Sequence, residues 1–97
     1  TEQIEAWIRC DGEDTNSKRA LEIAQLCRRT LVRLCPEALD YKVLHTQLRT
    51  IPGYMVTRYW KRTVSDAEVV EHATRCVAAL WARSVASDPS NEETRWP

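Results

Sequence analysis

The side chains best able to do chemistry in this chain of 97 residues are its four cysteines and two histidines. His72 and Cys76 are four residues apart in a segment with helical periodicity, so they lie on one face, as a cysteine nucleophile and its histidine base would. Cys76, however, falls beside the apolar positions Ala73 and Val77, and the pattern places no acid that would orient the histidine. We therefore interpret the pair as structural and predict that the chain is not an enzyme.

Metal and phosphate sites are also disfavoured. No C-x-x-C pair occurs, and His45 and His72 stand apart from the cysteines, whereas structural zinc sites use closely spaced pairs of ligands. Two isolated glycines cannot form a phosphate loop, and neither G-x-S-x-G nor H-E-x-x-H is present. We predict no cofactor, and reduced core cysteines in an intracellular protein, with a disulfide as the less favoured alternative. The cysteines are Cys10, Cys27, Cys35 and Cys76.

A run of aromatic and basic residues points instead to recognition. It comprises Tyr54, Arg58, Tyr59, Trp60, Lys61 and Arg62, on one short predicted helix. Such a cluster suits the stacked bases of a single strand, or a peptide whose apolar anchors meet the aromatics and whose acids meet the bases. Charge is segregated, with −4 over residues 1–14, +7 over 15–63 and −3 over 64–97. The zero net charge and a pI near 6.6 weigh against nucleic acid.

Helices must position this cluster, because glycines are few and apolar residues recur at helical rather than strand spacing. We predict an all-α fold, a compact bundle of about five helices, as one domain over residues 1–88, followed by a flexible tail over 89–97. Whether Trp96 belongs to the fold or to the tail is left open. No apolar run approaches the roughly 20 residues of a membrane span. We therefore expect a soluble protein with neither a membrane nor a small-molecule partner.

The first two helices are predicted from their ends and their apolar stripes. The first covers roughly residues 2–10 and ends at the turn around Gly12. The second begins at a cap formed by Asn16 or Ser17 and runs to about Leu34. Its exposed side is predicted to carry Arg28, Arg29 and Arg33. Its buried stripe is predicted to be Ala20, Leu21, Ala24, Cys27, Leu31 and Leu34.

Three more helices are predicted in the second half. The third ends at a break made by Pro52 and Gly53, and the fourth, about residues 54–63, turns Val56 and either Tyr59 or Trp60 inward. The fifth begins at the capping box of residues 65–68 and runs to about residue 87. The seam of the third helix is Tyr41, Leu44, Leu48 and Ile51. The stripe of the fifth is Val69, Ala73, Val77, Leu80 and Trp81.

The second half also carries an ordered set of motifs: Thr50-Ile51-Pro52-Gly53, Val56, Lys61-Arg62, Ser65-Asp66-Ala67-Glu68-Val69 and Trp81-Ala82-Arg83. Over about residues 44–88 this order resembles the N-terminal domain of transcription elongation factor TFIIS, a helical module also found in other elongation factors. Two departures stand out. Pro52 replaces the isoleucine that usually precedes the glycine, and one residue is added before Ser65.

The resemblance implies a nuclear, non-catalytic module of a transcription elongation or chromatin-associated factor, which docks short disordered acidic–hydrophobic motifs of partner proteins. We expect the docking surface at the turn before the fourth helix and on that helix. Ile51, Pro52, Tyr54 and Met55 would offer apolar contact, and Arg58, Lys61 and Arg62 would supply charge; Trp60 is either buried or part of this surface. The alternative hypothesis is a nucleic-acid-binding module that uses Arg28, Arg29, Arg33, Lys61 and Arg62.

Overall fold

The computed structural model describes residues 2–13, 17–36, 46–86 and 96–97. Regular structure within these ranges is entirely helical, with no strand. Helix α1 spans Glu2–Arg9, α2 spans Lys18–Leu34, α3 spans Ile51–Tyr59 and α4 spans Asp66–Ala86. A 3-10 turn, Leu48–Thr50, leads directly into α3. The all-helical prediction is therefore confirmed for the described chain, and none of its described helices is long and apolar enough to cross a membrane.

Side-chain caps set the starts of α2 and α4. The Oγ of Ser17 accepts a hydrogen bond from the backbone N–H of Ala20 at 3.2 Å, and the Oγ of Ser65 accepts one from Glu68 at 3.2 Å. Each bond satisfies one of the backbone donors that a helix leaves unpaired in its first turn. Both predicted starts are confirmed. Helix α1 ends one residue earlier than predicted, because Cys10 directly after it adopts a left-handed φ of +62°; Gly12, predicted to make this turn, adopts a φ of +82° two residues further on.

Helix α2 lies at the centre of the core and packs against both α3 and α4. Its predicted stripe is largely right, but Leu34 is 39% exposed, and Ile23, which the stripe omits, is fully buried. Four of the five predicted positions of α4 are also buried; the exception, Trp81, is 37% exposed. The core cluster comprises Ile23, Cys27, Leu31, Cys35, Leu48, Ile51, Met55, Val69, Ala73, Cys76, Val77 and Leu80.

The predicted break at Pro52 and Gly53 is wrong, because both residues lie in the first turn of α3. Proline is tolerated there, since its missing N–H would have no partner inside the helix in any case. The fourth predicted helix thus begins three residues earlier than expected and ends at Tyr59. Of the third predicted helix, Leu48 is buried beside Ile51, while Tyr41 and Leu44 lie outside the described residues.

Arg28 does not lie on the exposed side of α2, where it was predicted. It was expected on the exposed side with Arg29 and Arg33, yet it is only 8% exposed. One guanidinium nitrogen donates to the carbonyl of Trp7 at 2.6 Å, and the other donates to the carboxylate of Glu13 at 2.5 Å. The guanidinium also lies 5.0 Å from the centroid of the Trp7 ring. Arg28 therefore ties α1 and the turn after it to α2.

Candidate functional site

The predicted aromatic and basic residues gather at the carboxyl end of α3 and in the turn that follows it. All of them except Tyr59, which packs against the core, line a shallow pocket of about 400 Å³. The turn is held by two backbone bonds, from the N–H of Trp60 to Val56 at 2.9 Å and from the N–H of Arg62 to Tyr59 at 2.9 Å. We call this surface the α3 patch; its lining residues are Tyr54, Thr57, Arg58, Trp60, Lys61 and Arg62.

The α3 patch combines positive charge with exposed aromatic area. Its lining contains three basic side chains and no acidic one. Trp60 is 41% exposed, and the Nζ of Lys61 lies 4.7 Å from the centroid of its ring. An exposed indole beside a cation can take an apolar side chain on its free area while the cation attracts an acid. Trp60 is thus at the surface, which settles the alternative that the sequence left open.

Three of the seven predicted docking residues are not at the surface. Ile51, Pro52 and Met55 are buried, each less than 2% exposed, and their spacing of three to four residues with Leu48 forms the core face of α3. Their predicted apolar contacts with a partner are therefore not available in this structure. The other four predicted residues, Tyr54, Arg58, Lys61 and Arg62, all line the patch.

Thr57 was not predicted, although a signal for it was present. It stands three residues after Tyr54 and four before Lys61, which is the spacing of one helix face. Its hydroxyl donates to the carbonyl of Gly53 at 2.9 Å, so its methyl group and hydroxyl oxygen remain to contact a ligand. It widens the patch toward the first turn of α3.

The basic set proposed for nucleic acid loses one of its five members in the structure. Arg28 is buried and bound to Glu13, so it cannot contact a phosphate. Arg29 and Arg33 are exposed on α2, while Lys61 and Arg62 lie in the turn after α3. The structure therefore removes one predicted phosphate ligand and divides the remaining four between two elements.

His72 is engaged on both ring nitrogens, which leaves neither for catalysis in this structure. The residue is 2% exposed. Its Nε2 bonds to the carbonyl oxygen of Pro97, which can only accept, so Nε2 carries the proton. In the neutral ring Nδ1 is then an acceptor, and the hydroxyl of Tyr59 donates to it at 2.5 Å.

The four cysteines are free and buried, as predicted. Burial raises the pKa of Cys27 to about 12 and that of Cys76 to about 11, from an ordinary value near 9. Since the thiolate is the reactive form, these side chains are poor nucleophiles at neutral pH. Within the described ranges, no group of three or more potential ligands could hold a metal ion.

We expect Cys27 and Cys76 in the native chain to react with iodoacetamide at pH 8 at least about 100-fold more slowly than in denaturing urea, because a pKa raised by two units or more lowers the thiolate fraction about 100-fold or more. Mass spectrometry of timed samples measures this. The raised pKa also favours the folded state below pH 9, an advantage that is lost as the pH rises through 11–12. Rapid labelling of either Cys27 or Cys76 in the native chain would contradict this assignment.

Scans against protein-family models, curated proteins and solved structures give no match to this chain.

Proposed function

We propose that this chain is a non-catalytic interaction module that docks short, disordered, acidic–hydrophobic motifs of partner proteins on the α3 patch. The observation that carries the proposal is the composition of the patch: three bases, an exposed Trp60 and no acid around one shallow pocket. An acidic peptide gains from all three cations without meeting a like charge. The aromatic rings of Tyr54 and Trp60 offer area for its apolar side chains.

Affinity in this mode is modest. The pocket is open and shallow, and an unfolded motif loses conformational entropy when it is ordered on the surface. We therefore expect dissociation constants of roughly 1–100 μM, typical of exchangeable contacts with disordered segments. The bases act chiefly by attracting and orienting the motif, and the aromatics supply most of the buried area.

The cellular setting in this proposal rests on the resemblance to the TFIIS N-terminal domain. It places the module in the nucleus, in a transcription elongation or chromatin-associated factor, as a bundle of five helices. Support comes from Ser65, whose capping bond stands where the family motif has its serine. The added residue falls between Val56 and Ser65, the stretch that supplies most of the α3 patch, whereas Pro52 is buried in the first turn of α3. Partner choice is therefore proposed to differ from that of the family's usual members.

Nucleic-acid binding remains the second candidate, because bases and exposed aromatics on one element also suit a single strand. It is the weaker of the two. Arg28 is unavailable, and the chain as a whole has no net positive charge to attract phosphate. Any contact with nucleic acid is proposed to be weak and accessory.

The test is a titration of the chain with three fluorescent probes. The first is a 12-residue peptide with acidic residues around two apolar anchors, the second is the same peptide with glutamine at every acid, and the third is a single-stranded oligonucleotide. The expected result is binding of the acidic peptide at about 1–100 μM, at least tenfold weaker binding of the glutamine peptide, and no saturable binding of the oligonucleotide. Strongly salt-dependent oligonucleotide binding that is tighter than peptide binding would overturn the proposal.

A further inference from the structure

Trp96 and Pro97 pack against the bundle, although they belong to the segment 89–97 that was predicted to be a flexible tail. The carbonyl oxygen of Pro97 accepts two hydrogen bonds. The hydroxyl of Tyr54 donates to it at 2.7 Å, and the Nε2 of His72 is its second donor. Two side-chain donors from α3 and α4 thus converge on one backbone oxygen.

The indole of Trp96 is held as well. It is partly buried against the core cluster, and the guanidinium carbon of Arg83 lies 4.8 Å from its ring centroid. A bound peptide can be held in the same two ways: its side chain is partly buried beside a cation, and its backbone oxygen is bound by two side-chain donors. We call this the Trp-Pro subsite.

His72 makes the subsite selective for an acceptor. The imidazole is 2% exposed; its Nε2 bonds to the Pro97 oxygen, which can only accept, so Nε2 carries the proton, and the hydroxyl of Tyr59 donates to Nδ1. A buried donor left without an acceptor costs free energy comparable to a lost hydrogen bond. The bundle therefore favours a carbonyl oxygen at this position, whichever chain supplies it.

The Trp-Pro subsite adjoins the α3 patch, because Tyr54 belongs to both. The segment that fills it is itself acidic and hydrophobic: residues 88–97 contain three acids and one base, a net charge of −2, ending in Trp96 and Pro97. This is the chemistry proposed for the partner motif.

We propose that the Trp-Pro subsite recognises a tryptophan–proline step within an acidic peptide, and that residues 96–97 occupy it in cis as a competitor of the partner. This proposal relies on the proposed function for one point only, which is the kind of partner that displaces residues 96–97. Nine residues connect Ala86 to Trp96, so the effective concentration of the cis ligand is in the millimolar range. A partner that uses the subsite must compete with that concentration, which weakens its apparent affinity.

The test uses a fluorescein-labelled peptide of residues 88–97, added in trans to the full chain and to its Trp96→Ala variant, with anisotropy as the readout. The variant is expected to bind the peptide at least about tenfold more tightly than the parent, because its own segment no longer fills the subsite. The same peptide carrying alanine for its tryptophan is the matched control probe and is expected not to bind. Adding Tyr54→Phe to the variant, which removes one donor and keeps the ring, is expected to weaken binding about three- to tenfold.

Equal affinity of the parent and the Trp96→Ala variant for the peptide would overturn the proposal. An affinity of the variant that Tyr54→Phe leaves unchanged would also overturn it. The acidic 12-residue probe, which carries no tryptophan–proline step, is titrated in parallel. If that probe fails to bind while the peptide of residues 88–97 binds the variant, the proposed function fails and the subsite stands. The opposite pattern rejects the subsite alone.

Discussion

Replacing Arg28 by alanine is expected to lower the free energy of unfolding by about 2–3 kcal/mol. The substitution removes the donor to the Trp7 carbonyl, the ion pair with Glu13 and the contact with the Trp7 ring. This expected loss of stability is smaller than the largest losses known for broken buried ion pairs, for two reasons. The Glu13 side chain is 45% exposed, so its charge can be rehydrated, and the Nε of Arg28 finds no partner among the described residues even in the parent. Urea unfolding followed by circular dichroism measures the change.

Arg29→Ala is the matched control, because it removes the same side chain one residue along the same helix. Arg29 is exposed, and its replacement is expected to change stability by less than about 0.5 kcal/mol. If the two variants unfold at the same urea concentration, Arg28 does not anchor α1 to α2. Hydrogen exchange localises the effect: the amides of α1 are expected to lose protection in Arg28→Ala before those of α4.

The double substitution Lys61→Glu/Arg62→Glu is expected to weaken binding of an acidic peptide about 30-fold. An exposed ion pair contributes about 0.2–1 kcal/mol, and reversal replaces attraction with repulsion, so the two positions together cost about 2 kcal/mol. The change also removes the cation beside the Trp60 ring. Fluorescence anisotropy with the labelled peptide measures the loss. Since both side chains are exposed, the urea midpoint is expected to stay within experimental error of the parent.

The features that could be predicted from the sequence depend on residues that are close together in the chain. The starts of α2 and α4 depend on bonds between a side chain and an amide three residues away, and Ser17 and Ser65 both behave as expected. The basic and aromatic lining of the α3 patch was also predictable, because it falls within nine consecutive residues. Helical periodicity was sufficient to assign the α4 stripe up to Leu80.

What could not be predicted depends on partners distant in sequence. Arg28 is buried because α1 supplies a carbonyl 21 residues away, and no local pattern encodes that bond. The contact between Pro97 and Tyr54 spans 43 residues. Trp81 was predicted on the buried stripe of the last helix, yet it is exposed while its smaller neighbour Leu80 is buried. Tertiary packing decides which of two adjacent apolar residues faces inward.

Ile51 and Met55 illustrate an error that the sequence could have prevented. They were assigned to a partner surface, although with Leu48 they recur at positions i, i+3 and i+7, the spacing of a buried helix face. A predicted helix break at Pro52 concealed that continuity. Once proline is accepted in the first turn of α3, the 3-10 turn and the helix form one inward-facing stripe.

The ratio of two dissociation constants for the acidic peptide shows whether the peptide docks on the α3 patch. One is measured with Lys61→Glu/Arg62→Glu and the other with Arg29→Glu/Arg33→Glu, which makes the same change in net charge on the exposed side of α2. If the α3 patch is the docking site, the first constant exceeds the second by about tenfold or more, because only the first pair lines the pocket. A ratio near one would mean that net charge alone attracts the peptide, and would contradict a docking site on the α3 patch.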